Sequence, residues 1–303
     1  MSVISPATHT PAPSAPAFRG RIGRDARSGH YAVPRRYRLH LSTADPACLR
    51  IAVTHTLLGL DDVCAVTVLP AVPDRPDGGY TELSPLYDAS AHRYTGPALA
   101  PVLSDGWSGR IVSTHAPDIA RDLARRFDGG RSAPYPCGAE SELEAVERMC
   151  AQGIDEAARS AGSAAADPAA RAEALGTLLR TLGSLNNWLV DRDHMIRDRI
   201  TVADVELWVT LVQLDTVHRH HLDAEAVRDI AAYETLWTYA RRLAGHPAFG
   251  GHLDVDAIAR RHHAHCRAPA ATGTAVPIVT WPDRAPSGAY TAGARQWAWW
   301  RRA

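Results

Sequence analysis

The 303-residue chain contains no lysine: all 33 of its basic residues are arginine, and 33 acidic residues balance them. A net charge of zero argues against a bulk electrostatic footprint for nucleic acid or an anionic membrane. Arginine without lysine is the mark of a GC-rich coding sequence. Long apolar runs are also missing, so no transmembrane helix is expected, and Met1 to Pro16 has no apolar core of the kind a signal peptide needs. A cytoplasmic protein is the expectation. Five cysteines (Cys48, Cys64, Cys137, Cys150 and Cys266) at irregular spacing do not make a disulfide framework in a chain of this size. What is present is an apolar content of 46%, enough to bury one core in each of two domains.

Residues 1–17, rich in Pro, Ser, Thr and Ala, read as a disordered tail, because they offer little apolar surface to offset the entropy of ordering. Structure is expected from Phe18. Tyr37, Leu39 and Leu41 alternate with polar residues and predict a strand from Tyr37 to Ser42. Asp45-Pro46 then supplies an N-cap acceptor and a proline at the first helical position, where its missing N–H costs nothing. A helix is predicted from about Pro46 to Leu58. Cys48 falls at its third position, where free N–H groups and the helix dipole favour a thiolate and a lowered pKa. The apolar run Val63 to Leu69 predicts a second strand and closes a βαβ unit. Residues 70–95 read as loop. A hairpin follows, with strands Ala98–Leu103 and Arg110–Ser113 about a turn at Ser104-Asp105-Gly106.

From Glu140 the pattern turns helical. Leu175, Leu178, Leu182, Leu185 and Leu189 recur at spacings of three and four and mark one buried stripe. Thr201, with Asp204 three residues later, predicts an N-cap of the capping-box type for a helix running through Trp208 and Leu211. Residues 283–303 end Trp297-Ala298-Trp299-Trp300-Arg301-Arg302 and read as a tail folded back on its own domain.

Several of these segments together resemble a known family. Arg36 to Arg50 is similar to the active-site segment of the glutathionyl-hydroquinone reductases, the Xi-like class of glutathione transferases, which reads Arg-Tyr-His-Leu-Tyr-Val-Ser-x-Ala-Cys-Pro-Trp-Ala-x-Arg. Thr201-Val202-Ala203-Asp204 through Asp215 matches the family's Thr-x-Ala-Asp-x-x-Leu-x-x-x-Leu-Val-x-x-Asp, and Leu236-Trp237-x-Tyr239 and Ile258-x-x-x-His262-His263 follow the order of its last helices. The resemblance covers about Phe18 to Pro282. It implies a thioredoxin-like α/β domain over 18–125, an all-helical glutathione-transferase domain over 138–282, and a cis bond at Ala100-Pro101. It also implies a small-molecule substrate, glutathione or mycothiol as the thiol, and the homodimer common among glutathione transferases.

The chain departs from the family where the chemistry lies. Pro46 and Arg50 match, but the nucleophilic cysteine falls on Asp45, which cannot form a disulfide. The Glu-Ser pair that binds the γ-glutamyl end of glutathione aligns with His115-Ala116. Asp155 falls in the Asn-Gly-Val-Tyr-like segment, and His262 and His263 stand in the paired-tyrosine segment. The expected catalytic residues are therefore Cys48, Asp45 and His115, and the substrate-binding residues Ala100, Pro101, Arg50, His262 and His263. Three functions stay open. The first is a thiol-dependent transferase or reductase of quinone-like or other aromatic electrophiles, with Cys48 supplying sulfur. The second is acid–base chemistry (isomerisation, elimination or cyclisation) by Asp45 with a histidine. The third is a non-catalytic binding role. No metal is expected: His262 and Cys266 share a helical face, but two ligands without a companion pair do not make a zinc motif.

Overall fold

The computed structural model describes residues 18–127, 134–266 and 276–282, so the two expected tails lie outside the described residues. β1 (Tyr37–Leu41) runs parallel to β2 (Ala65–Val68) across α1 (Pro46–Leu57), and antiparallel to β3 (Val102–Asp105), which pairs with β4 (Arg110–Ser113). The order β2-β1-β3-β4 and the cis Ala100-Pro101 bond are those of a thioredoxin-like sheet. β2 is shorter than expected because Val63 and Cys64 turn back onto the carbonyl of Leu60. β3 starts after Pro101, which has no N–H to give the ladder. It runs on to Asp105, whose carboxylate takes two hydrogen bonds from Arg36 at 2.7 and 2.9 Å. The turn accordingly shifts to residues 106–109, where Gly109 has φ +66°. The stretch expected as loop contains the short α2 (Ser84–Ser90), with a proline in its first turn.

α3 (Ala116–Phe127) closes the first half. The second half is helical: α4 (Glu140–Arg148), α5 (Ala157–Ala161), α6 (Pro168–Trp188), α7 (Val202–Thr216), α8 (Ala224–Ala231), α9 (Glu234–Ala244), α10 (Pro247–Gly250) and α11 (Val255–His265). α4 and α5 are joined by a π-helical stretch, Met149–Glu156, in which Gly153 lies so close to α6 that a Cβ would come within 2.7 Å of the Thr181 hydroxyl. In α6 the expected stripe is internal, with Leu178, Leu182 and Leu185 buried.

α1 belongs to both halves. Its Cys48, Ile51 and Ala52 enter the core against the sheet, whereas Leu49 and Val53 enter the helical core around Trp208 and Phe249. At the far end, Asp215 on α7 accepts hydrogen bonds from the Ile278 N–H and the Trp281 indole, both at 2.8 Å, and the Trp281 ring stands edge-on to Trp208. No helix among the described residues is long and apolar enough to cross a membrane.

Candidate functional site

The loop from β1 to α1 is fixed by its own backbone. The Asp45 N–H donates to the Ser42 carbonyl at 2.9 Å, and the Ser42 hydroxyl donates to the Pro70 carbonyl at 2.9 Å. Asp45 then takes an extended conformation, and its Oδ1 accepts from the N–H groups of Ala47 and Cys48 at 3.0 and 3.1 Å. The other carboxylate oxygen, Oδ2, pairs with Arg261 at 3.2 Å. Arg261 comes from α11 and is held by the Tyr80 hydroxyl at 2.8 Å and the Ala71 carbonyl at 3.2 Å. One guanidinium thus joins the cap of α1, the loop after β2 and the last helix.

Cys48 is fully buried, and that reverses the expected effect of the helix N-terminus. Burial pushes its thiol well up, and the neighbouring Asp45 carboxylate pushes further in the same direction. A thiolate inside an apolar core costs more than the dipole returns. The expectation of a low-pKa sulfur at Cys48 is corrected accordingly.

His115 turns to α3 rather than to Asp45. Its Nδ1 faces Asp118 at 2.9 Å, in a network where Arg19 and Arg21 also reach Asp118 and Arg21 reaches Asp122 at 2.6 Å. His262 turns instead to His221, and His263 is exposed. Among the described residues no hydrogen bond or ion pair joins His115, His262 or His263 to Asp45, so the expected Asp–His pairing is replaced by Asp45–Arg261. Ala100 is half-buried and Pro101 buried at the start of β3.

Arg50 lines a cavity in which its neighbours hold it. Its guanidinium is spent between the domains, on Glu206 at 2.7 Å and the Thr210 hydroxyl at 3.0 Å, with Asp155 at 3.9 Å. A cavity of about 330 Å³ opens there, lined in part by Ala47, Ile51, Ala120, Tyr135 and Val205. Burial pushes the Asp155 carboxyl up to about 6, Arg50 opposing and Glu206 adding to it. His218, whose Nε2 is 3.8 Å from Asp155, is pushed down to about 4, chiefly by burial. The His262 imidazole is likewise pushed down to about 4 by burial and by the histidines around it.

Two residues of consequence escaped the sequence reading. Tyr80 carries no motif. Arg261 did leave a signal: it follows the buried Ala257 and Ile258 by four and three positions, which puts it on the inward face of α11.

No family model matches the chain. Among curated proteins it is 29% identical over 247 residues to the glutathionyl-hydroquinone reductase PcpF of Sphingobium chlorophenolicum, covering 76% of this chain and 77% of that one. It is 26% identical over 276 residues to the glutathionyl-hydroquinone reductase YqjG of Escherichia coli K12, covering 82% and 83%. Among solved structures, the Xi glutathione transferase of Phanerochaete chrysosporium superposes with a TM-score of 0.72 at 25% identity, covering 91% of this chain and 99% of that one.

Proposed function

We propose that this chain, a divergent member of the Xi-like glutathione transferase and glutathionyl-hydroquinone reductase family, joins a small thiol to a quinone-like or other aromatic electrophile without forming a disulfide to the protein. The observation that carries this reading is the Asp45 carboxylate, which stands where the family has its cysteine and is bound by two backbone N–H groups and Arg261, while the nearest sulfur, Cys48, is enclosed. Sulfur must then come from the cosubstrate.

For addition to a quinone, the S–H proton of the thiol passes to Asp45 Oδ2 and the sulfur pair forms the S–C bond to an electron-poor ring carbon. The ring electrons move onto the carbonyl oxygen, which receives the proton back. The attacked ring carbon then gives up its hydrogen as a proton, the C–H pair restores the aromatic ring, and the second carbonyl oxygen takes up a proton. The product is a hydroquinone thioether, and no external oxidant or reductant is required. Arg261, released from Oδ2 when that oxygen takes the proton, can pair with the developing oxyanion, a form of electrostatic stabilisation that acts at the transition state.

The thiol class follows from the surroundings of α3. Asp118 is the carboxylate closest in sequence to the aligned Glu-Ser position, and Arg19, Arg21 and His115 already surround it. It has little to offer the ammonium group of a γ-glutamyl end. That favours mycothiol, whose headgroup is a sugar, over glutathione.

The test is thiol addition to a para-quinone by the full chain with each thiol. Asp45→Asn should lower kcat/KM by about 100-fold or more, as loss of a general base does. Cys48→Ala should stay within about threefold of the parent. Loss of turnover in Cys48→Ala, or full activity in Asp45→Asn, would sink the proposal. Asp45→Cys supplies a second check, because a thiol at the N-cap should bring in reduction of glutathionyl-hydroquinones, an activity the parent chain should lack.

A further inference from the structure

The 3₁₀ turn His218–His221 ends α7 and lies against the C-terminal end of α11. There His221 Nε2 is 3.0 Å from His262 Nε2 and 3.6 Å from Cys266 Sγ, and the three donor atoms lie within 4.8 Å of one another. Cys266, the residue that follows α11, still donates its N–H to the His262 carbonyl at 2.7 Å, so the end of the helix sets their spacing and the turn brings the third group to them. The position of His221 is itself built in. A Cβ on Gly162, at the C-terminus of α5, would fall 2.7 Å from the His221 Cβ, so glycine is what allows the turn this close to α5.

We propose that His221, His262 and Cys266 form a binding site for zinc or a chemically similar first-row divalent metal, with the fourth coordination position open to solvent. Two imidazole nitrogens and a thiolate are the donors a borderline-soft tetrahedral ion prefers. Bond lengths of about 2.0 Å to nitrogen and about 2.3 Å to sulfur imply tetrahedral edges of about 3.3 Å between nitrogens and about 3.5 Å between nitrogen and sulfur. The separations of 3.0 and 3.6 Å are close to two of those edges, and the third, from His262 to Cys266, lies within 4.8 Å, so a metal can enter once the Cys266 side chain closes that edge. Arg261 is the residue before His262, so a metal held here would also fix the end of α11 that delivers Arg261 to Asp45.

The probe is cobalt(II), titrated into the untagged, full-length chain after chelator treatment and dialysis. One equivalent should bind with the ligand-field bands of a tetrahedral site and a thiolate-to-cobalt charge-transfer band, and zinc should displace it. Cys266→Ser should lose the charge-transfer band while its circular dichroism and Tm stay those of the parent. Cys137→Ser, which changes the exposed thiol, should keep the band. His221→Ala and His262→Ala should each weaken binding by about 100-fold or more, since loss of an outer partner alone costs about 10–100-fold. An octahedral spectrum without a thiolate band, or a band that survives in Cys266→Ser, would overturn the site.

Discussion

Asp155 is a carboxylate held mostly out of water, and its pKa near 6 against an ordinary 3.8 ties it to stability. The folded protein binds this proton more tightly than the unfolded chain does. The stability Asp155 contributes is complete below about pH 4 and is lost as the pH rises through 6. Asp155→Asn, neutral at every pH, should therefore raise Tm at pH 7.5, reflecting a stability gain on the order of 1–3 kcal/mol. About half of that gain should remain at pH 5, where Asp155 is protonated in the folded protein but still ionised in the unfolded chain, and it should vanish only below about pH 4. Thermal melts of the two proteins at pH 7.5, 5 and below 4 check the sign, and a gain undiminished below about pH 4 would point to a cause other than charge.

At the scale of the element, α7 owes its start to Asp204. Its carboxylate accepts from the Thr201 N–H at 2.7 Å and the Thr201 hydroxyl at 3.0 Å, and also from the Met195 N–H at 2.9 Å and the Tyr239 hydroxyl at 2.8 Å. Thr201→Ala should cost about 1 kcal/mol. Asp204→Ala strands several buried donors at once and should cost about 3 kcal/mol or more, read as a fall in the urea midpoint. This cap was legible in the sequence because its partners are three residues apart. The Asp45-Pro46 start of α1 was legible for the same reason. The π-helical stretch and the end of β3 were not, since they depend on what packs against them: Thr181 beside Gly153, and Arg36 beside Asp105. The candidate site divides along the same line. Asp45 could be read from its own neighbours, whereas Arg261 arrives from 216 residues away. The low pKa expected of Cys48 failed because helix position is local information and burial is not.

At the scale of the whole molecule, α1 ties the two halves into one folding unit. Leu49 faces the helical core and Ile51 the sheet core, both fully buried, and Arg50 between them reaches across to Glu206 and Thr210. Leu49→Ala and Ile51→Ala should each cost about 2–5 kcal/mol. Calorimetry should find both lowering a single shared transition, although the two side chains lie in different cores. Two separate transitions, each sensitive to one variant, would contradict the tie. Arg50→Ala should loosen the same junction, with a coupling to Glu206→Ala measurable in a double-mutant cycle.

The contacts of Asp215 carry a practical consequence for trimming the protein. The indole of Trp281 and the N–H of Ile278 supply that buried carboxylate with two donors, beside the ion pair it makes with Arg219 in the 3₁₀ turn after α7. A chain cut after Cys266 would give up both donors and uncover one side of Trp208, whereas a chain cut after Pro282 keeps them. The shorter version should melt several degrees lower, and its tryptophan emission should shift to the red. For crystallisation or fusion work the safe C-terminal boundary is thus set by a single aspartate, some 67 residues before the cut, rather than by the end of the last helix.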